Sequence, residues 1–243
     1  MKKQEYVTMS TVEFSHWWFL ARREFLGAVF CIMGIKKKHG AIIADIGAGT
    51  GGMEHFLSQY GRVTGIEPNV VGRTLAKKRH ITLRYGTAVR TGLATGSCDI
   101  VCFFDVLYHK DIHVANALKE ARRVLKKGGF LVITDCAMPF LYGPHDRLFH
   151  ARERYTITKL ATLVHNGHMT PLFSRYMFFF TFPFFIGKRL YDRFFYKREH
   201  VSDVQHISPM INTILHAVCS LEARFLPYVS FPWGSSLLLI AKK

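Results

Sequence analysis

Two kinds of apolar pattern alternate along the chain. Short continuous runs, such as residues 42–46 and 98–105, are typical of strands that a parallel sheet buries on both faces. Longer segments such as 113–126 carry apolar residues at helical spacing, which predicts amphipathic helices. The predicted strands are 42–46, 62–67, 81–85, 98–105, 130–134, 170–180 and 236–241, and the predicted helices are one or two within 11–33, then one from 53, 69–78, 113–126, 156–167 and 208–226.

Strands and helices that alternate in this way predict an α/β fold, a Rossmann-like doubly wound sheet. We expect the sheet to be mostly parallel with a terminal antiparallel strand. About fifty residues separate the last two predicted strands, which is far more than a connection needs, so we expect a helical insertion before the last strand.

A glycine-rich turn follows the first predicted strand. Gly47, Gly49 and Gly52 form a G-x-G-x-x-G pattern, in which glycine lets a flat ligand approach the main-chain amides. The pattern alone also fits a dinucleotide, but the carboxylate of Asp45 would repel a pyrophosphate and suits an ammonium or sulfonium group, as in S-adenosylmethionine. Glu67, after the second strand, is placed to accept hydrogen bonds from both hydroxyls of a ribose; a surface acid is the alternative.

The chain resembles the class I S-adenosylmethionine-dependent methyltransferases over residues 41–135. The matching segments are their first motif at 45–51, the ribose-binding acid at Glu67, the fourth-strand region at 99–101 and 105–109, and the turn at 123–129. This resemblance implies S-adenosylmethionine as the cofactor. Two positions depart from it: Thr87 stands where many relatives carry an acid facing the adenine amine, and Tyr108 replaces a usual Glu before His109.

Trp18 and Arg22 lie four residues apart and therefore share a helix face, from which an indole and a guanidinium could close over the cofactor. Packing in the core is the alternative for the tryptophan. The predicted cofactor-binding residues are Trp18, Arg22, Asp45, Gly47, Ala48, Gly49, Glu67, Pro68, Thr87, Ala88 and Asp105.

A narrower resemblance reaches the two ends of the chain. Residues 16–19, which spell HWWF, the polar segment 145–155 and residues 232–237 are similar to a bacterial subgroup of these enzymes with an aromatic and basic C-terminal insertion. That subgroup often accompanies lipid- or glycan-modifying genes. Its substrates are mostly unassigned, so the resemblance identifies the reaction better than the acceptor.

Several side chains at the carboxyl ends of the strands could take a proton from the methyl acceptor. His109 lies at the carboxyl end of the strand predicted at 98–105, where ligands bind in open α/β sheets. A histidine has an intrinsic pKa suited to proton transfer near neutrality. A structural histidine is the alternative. His145 and Asp146 could form a base with its orienting carboxylate. The predicted catalytic residues are His109, His145, Asp146, His150 and Tyr155, with Arg152 and Arg154 as candidates to grip a phosphate or carboxylate. A metal site at these residues lacks a recognised ligand spacing, so no metal is predicted.

Composition bears on the partner. The formal net charge of +16 implies attraction to a polyanion, and 21 Phe residues favour an apolar partner over nucleic acid. The five cysteines show neither a C-x-x-C pair nor metal-ligand spacing, so we expect reduced thiols in a cytoplasmic protein. No apolar segment of a signal peptide follows the N-terminus.

The segment 176–187 is apolar but too short to span a membrane, which takes roughly twenty residues. The residues beyond it predict a helix with an aromatic face beside a basic one, typical of a helix in an anionic membrane interface; a lid over the substrate cleft is the alternative. The aromatic face consists of Phe184, Gly187, Leu190, Tyr191, Phe194 and Phe195, and the basic side includes Lys188, Arg189 and Lys197.

We therefore expect one methyltransferase domain over residues 1–243. Its parts are a helical cap (1–40), a cofactor-binding core (41–182), a substrate or membrane insertion (183–232) and the last strand (233–243). The expected reaction is methyl transfer to a hydrophobic or lipid-linked acceptor at the inner face of a membrane. A soluble acceptor, an RNA acceptor, a nicotinamide dehydrogenase and a non-catalytic membrane adaptor are the alternatives.

Overall fold

The computed structural model describes the backbone of residues 3–37, 40–195 and 207–243, and the side chains of these residues except 192–195. The strands in this part of the chain are β1 (Ala41–Ile46), β2 (Gly61–Ile66), β3 (Cys98–Phe104), β4 (Leu125–Cys136), β5 (Thr170–Met177) and β6 (Ser236–Lys242). The helices are α1 (Lys3–Val12), α2 (Trp17–Ile32), α3 (Glu54–Leu57), α4 (Val70–Lys77), α5 (Val114–Val124), α6 (Pro144–Leu148), α7 (Ile157–Asn166), α8 (Phe182–Phe195) and α9 (Pro209–Phe225).

The six strands form one sheet in the order β2-β1-β3-β4-β6-β5. β1 pairs in parallel with β2 and β3, and β3 pairs in parallel with β4. β6 runs antiparallel to both of its neighbours, β4 and β5. The predicted Rossmann-like α/β fold, mostly parallel with a terminal antiparallel strand, is therefore confirmed.

Helices cover both faces of the sheet, α5 and α7 on one and α2, α3 and α9 on the other. Val101 and Phe103 of β3 belong to the first core, whereas Ile100 and Cys102 belong to the second. Successive strand residues point to opposite faces, so all four must be apolar. This is why β3 reads as a continuous apolar run in the sequence.

The strand predicted at residues 81–85 was wrong. In the described structure this segment contributes an isolated bridge between Arg84 and Ile66. Arg84 donates its amide to the Gly65 carbonyl at 2.8 Å, but Leu83 is buried while Tyr85 is 72% exposed. The alternating pattern therefore reflects one buried side chain beside the edge of β2 rather than a seventh strand.

The interval between β5 and β6 holds α8 and α9, which confirms the predicted helical insertion. Asn212 of α9 accepts the Trp17 amide at 2.8 Å, which joins α9 to the start of α2. Glu222, fully buried on α9, accepts the amides of Phe179 and Phe180 at 3.0 and 3.1 Å. Both ends of α9 are thus tied to the body of the fold.

Candidate active site

The turn after β1 is shaped by its backbone. The amides of Gly47 and Ala48 both donate to the carbonyl of Ile66, at 2.8 and 3.0 Å. Gly47 has a φ of +81°, and a Cβ there would lie 2.5 Å from a methyl carbon of Val106. Any other residue would be strained and would collide, so the sequence pattern has a steric cause.

Glu67, just after β2, accepts three hydrogen bonds. Its Oε2 accepts the Gly49 amide at 2.9 Å, and its Oε1 accepts the Asn69 amide at 2.8 Å and the Tyr6 hydroxyl at 3.1 Å. Burial raises the pKa of this carboxyl, and the hydrogen bonds oppose that shift. The bonds fix the carboxylate in place, and its remaining lone pairs could still accept ribose hydroxyls.

Asp45 is buried at the carboxyl end of β1. It is 1% exposed, and its Oδ1 has no hydrogen-bond partner among the described residues. Burial raises the pKa of its carboxyl to about 7, while the charge of Arg22 acts in the opposite direction. A buried oxygen without a partner costs about 1–3 kcal/mol, so this position suits a ligand that brings a cationic donor.

Arg22 and Asp105 form an ion pair beside the turn. The guanidinium carbon of Arg22 lies 4.8 Å from the centroid of the Trp18 ring, as their shared helix face predicts. Asp105 follows β3 with a φ of +57°, a left-handed backbone that is uncommon for a residue with a side chain. Burial raises the pKa of its carboxyl, although Arg22 opposes the shift.

A cavity of about 670 Å³ joins these groups to the outer ends of the strands. Its cofactor side is lined by Trp18, Arg22, Asp45, Gly47, Ala48, Gly49, Glu67, Pro68, Ala88 and Asp105, and its other side by His109, His145, Phe149, Arg154, Thr181, Phe184, Phe185, Lys188 and Leu215. The structure thus brings together every predicted cofactor residue except Thr87. The hydroxyl oxygen of Thr87 instead accepts the Arg90 amide at 3.1 Å, and Thr87 does not line the cavity.

S-adenosylmethionine matches the chemistry of the cofactor side. Its cationic methionine end suits the carboxylate of Asp45, and its ribose suits Glu67, both of which line the cavity. Ala88 and Val106 offer apolar surface for a flat base. A pyrophosphate would instead meet the carboxylate of Asp45 beside the turn.

The family model described as methyltransferase domain matches residues 44–133 of the chain. The chain is a methyltransferase that uses S-adenosylmethionine. The matched segment runs from β1 through most of β4 and includes Asp45, Glu67, Asp105 and His109. A comparison with curated proteins finds no match.

Solved methyltransferase structures share the fold. A S-adenosylmethionine-dependent methyltransferase from Thermotoga maritima has a TM-score of 0.60 at 17% identity, over 98% of this chain and 99% of that chain. Phosphoethanolamine N-methyltransferase 2 from Haemonchus contortus, in complex with S-adenosyl-L-methionine, has a TM-score of 0.57 at 16% identity, over 89% and 51%. A geranyl diphosphate methyltransferase in complex with GPP and sinefungin has a TM-score of 0.56 at 14% identity, over 89% and 76%.

When bound, S-adenosylmethionine supplies a methyl group on an already activated sulfonium, so positioning accounts for most of the catalysis. Asp45 would hold the cationic methionine end of the cofactor, and Glu67 would hold its ribose. The remaining task of the chain is to orient the acceptor and, where the acceptor is a hydroxyl or an ammonium, to take its proton.

His109 is placed for that task. Its Nδ1 lies 2.8 Å from the carbonyl oxygen of Phe149. A carbonyl only accepts, so Nδ1 carries the proton and Nε2 holds the lone pair of a base. Burial lowers the pKa of the imidazole to about 4, which keeps it neutral.

His145 also lines the cavity, with its ring 4.4 Å from the ring of Phe149. Asp146, the predicted orienting carboxylate of His145, has partners of its own, and its role toward His145 stays a prediction. Asp146 is fully buried, and its oxygens accept Nε of Arg154 and the Gly143 amide, each at 2.8 Å. It is the acidic half of a structural ion pair that sets the position of Arg154.

Tyr155 and His150 are not among the residues that line the cavity, and their catalytic roles stay predictions. Tyr155 is fully buried in the core, where its hydroxyl donates to the Leu107 carbonyl at 3.0 Å. Arg152, predicted to grip the acceptor, donates to the Tyr155 hydroxyl at 3.1 Å and the Ile112 carbonyl at 3.0 Å. The spacing of His150, Arg154 and Tyr155 by four residues and then by one predicted that they would meet at one site. Arg154 lines the cavity, whereas His150 and Tyr155 do not.

Sequence reasoning missed the contribution of α1. Tyr6 and Met9 line the cavity, and Tyr6 bonds to Glu67. Glu13, just after α1, accepts the Thr50 hydroxyl at 2.7 Å and pairs with Arg79 at 2.5 Å, which ties α1 to the glycine turn. The available signal was spacing, since Tyr6, Met9 and Glu13 are three and four residues apart.

Proposed function

We propose that the enzyme transfers a methyl group to a hydrophobic or lipid-linked acceptor at a membrane surface, and that residues 1–243 act as one domain. The observation that carries this proposal is the lining of the acceptor side of the cavity. Phe184, Phe185 and Lys188 of α8 and Leu215 of α9 contribute to it. An acceptor with an apolar body and an anionic group matches such a wall.

His109 is the proposed base. Its Nε2 would take the proton from the acceptor while Nδ1 stays bonded to Phe149. His145 lies on the same side of the cavity and is the second candidate. Arg154 is held by Asp146 and by the Ala137 carbonyl at 3.1 Å, so it gives the acceptor side a fixed positive charge.

The proposed membrane contact consists of exposed apolar side chains of α8 and α9, of which Phe184 also lines the cavity. On α8, Phe184, Leu190 and Tyr191 are 75%, 50% and 53% exposed, and on α9 Met210 is 70% exposed. Exposed apolar groups beside basic residues are typical of interfacial helices. Within the described chain, the helices are too short or too polar to cross a bilayer. The predicted contacts of Phe194 and Phe195 lie outside the described side chains.

Two likenesses support an acceptor of this class. The geranyl diphosphate methyltransferase of similar fold was solved with GPP, an isoprenoid diphosphate. The HWWF motif also resembles the bacterial subgroup linked to lipid and glycan modification. Within this motif His16 caps the start of α2, and its Nδ1 accepts the amide of Trp18 at 3.3 Å.

A soluble small acceptor, with α8 as a lid, is the second candidate. The ring of Phe185 lies 5.6 Å from the guanidinium carbon of Arg154 and 4.8 Å from that of Arg189. These contacts support a lid that rests on the core at the acceptor side.

The test is methyl transfer from labelled S-adenosylmethionine into two extracts, one of membrane lipids and one of water-soluble metabolites. We expect label in an organic-soluble product, lost with the His109→Gln variant. Label confined to the soluble extract would favour the lid, and an absence of transfer to either would contradict both acceptor classes.

A further inference from the structure

A second acid lies beside Asp45 under the cofactor turn. In the register of β1 and β2, Asp45 is opposite Gly65. Paired residues of parallel strands point to the same face and lie about 4.8 Å apart. A Cβ on Gly65 would overlap Oε1 of Glu54, the first residue of α3. Glu54 thus occupies the space that the missing side chain leaves, next to Asp45.

Each acid has one buried oxygen without a hydrogen-bond partner in the described part of the chain. Oδ1 of Asp45 and Oε1 of Glu54 are both inaccessible to solvent and have no hydrogen-bond partner among the described residues. Two ionised carboxyls side by side repel each other, and burial adds to the free-energy cost of ionising both. One shared proton would remove the repulsion and supply a partner.

The charged groups around the pair favour this arrangement. Arg22 of α2 faces Asp45 and stabilises its ionised form, whereas Glu67 beyond β2 disfavours it. Cys102 of β3 is the other register partner of Asp45 and is held as a neutral thiol by burial. Burial and the nearby Asp45 raise the pKa of Glu54 to about 8. Burial therefore favours the protonated form of both acids, and each disfavours the ionised form of the other.

We propose that Glu54 and Asp45 share one proton in the enzyme without cofactor, and that this proton leaves to solvent when the cationic end of the cofactor binds Asp45. Glu54 is then a positioning residue that does not line the cavity. On binding, the net charge of the two carboxyls changes from one negative to two, and the ammonium group of the ligand offsets the added charge. The buffer takes the released proton. Cofactor affinity should consequently rise with pH, by up to about tenfold per pH unit for a whole proton.

Isothermal titration calorimetry with S-adenosylhomocysteine, in buffers of low and high ionisation enthalpy near neutral pH, counts the released protons. S-adenosylhomocysteine keeps the ammonium but lacks the sulfonium charge. We expect a large fraction of one proton per ligand for the wild type and almost none for Glu54→Gln, whose affinity should also stop changing with pH. Glu54→Asp, which keeps an acid, should restore release.

Glu67→Gln is the matched control, because Glu67 also has a raised pKa and lines the cavity. It should weaken affinity but keep the release. Loss of release in Glu67→Gln with release intact in Glu54→Gln would overturn the proposal, as would a wild type without buffer dependence. Infrared difference spectra of the wild type give a readout independent of any variant: a protonated carboxyl band should disappear when ligand is added, and an unchanged band would contradict the shared proton.

Discussion

Two buried aspartates show how surroundings decide the role of a side chain. Asp146 is fully buried, but Arg154 and the Gly143 amide occupy its oxygens. Asp45 is equally buried, yet its Oδ1 has no partner among the described residues. The first therefore stabilises the fold, whereas Asp45 lines the cavity and can meet a ligand there. In the sequence only the glycines after Asp45 distinguish the two, because partners distant along the chain leave no local pattern.

Replacing Asp45 with Asn removes the charge and keeps the shape. We expect affinity for S-adenosylhomocysteine to fall about 10- to 100-fold, since a hydrogen bond to a charged group contributes about 1.5–3 kcal/mol. Calorimetry measures the change. Asp99→Asn is the matched control, because Asp99 pairs with Lys126 at the opposite end of β3 and should not affect affinity. Equal affinity in Asp45→Asn and the wild type would remove Asp45 from the site.

His109 should act as a base over an unusually wide pH range. Its pKa is lowered by burial to about 4 from the ordinary value of 6.5, so the neutral form persists as pH falls through the range where most histidines gain a proton. At saturating cofactor, turnover should therefore show no loss around pH 6.5. His109→Gln should lower turnover about 10²- to 10⁴-fold and leave cofactor affinity intact. A parallel loss of affinity would place His109 in the cofactor pocket.

At the scale of elements, prediction succeeded where local pattern and packing agree. β3 and β4 are covered on both faces, so their apolar runs predicted them. Residues 81–85 failed because one buried leucine beside an edge strand produces the same alternation as a half-buried strand. No local pattern indicates the partner of Tyr155, because its hydroxyl donates to the carbonyl of Leu107, 48 residues away.

α1 should contribute to cofactor binding through one hydroxyl. Tyr6 donates to Oε1 of Glu67 at 3.1 Å, which fixes the carboxylate that would meet the ribose. Tyr6→Phe should weaken affinity for S-adenosylhomocysteine about 2- to 10-fold, the effect of one hydrogen bond of about 0.5–1.5 kcal/mol. Tyr85→Phe, at a residue 72% exposed, is the control and should bind like the wild type. Equal affinity of both variants would mean that the Tyr6 hydroxyl does not contribute to cofactor binding.

The stability of the loop and helix between β4 and α7 should depend on the ion pair of Asp146 and Arg154. Their side chains are 0% and 2% exposed. Asp146→Asn leaves a buried guanidinium without its counter-charge, which costs about 3–5 kcal/mol of unfolding free energy. Denaturant titration measures the loss. Glu153→Gln breaks partly exposed pairs with Lys159 and Arg152 and should cost about 0–1 kcal/mol. Similar costs for the two variants would mean that Asp146 is not a structural residue.

At the scale of the whole molecule, composition predicts an anionic and apolar partner but not where it would bind. The net charge of +16 and the 21 Phe residues are properties of the entire chain. Exposed apolar side chains lie on α8 and α9, and Phe184 among them lines the cavity that also holds Asp45 and Glu67. These side chains of two helices form the rim, so no window within one helix contains it.

The last prediction is that this rim holds the enzyme on anionic vesicles. Phe184 and Tyr191 on α8 are 75% and 53% exposed, and burying a large apolar side chain contributes about 1.5–3 kcal/mol, so each substitution by Ser should weaken partitioning about tenfold or more. Co-sedimentation with anionic vesicles measures this, and high salt should weaken it because basic groups contribute. Ser at Tyr85 and Leu172, 72% and 50% exposed and away from the cavity, is the matched control and should sediment like the wild type. If the wild type stays in the supernatant at low salt, the rim does not bind membranes and α8 serves only as a lid over the acceptor.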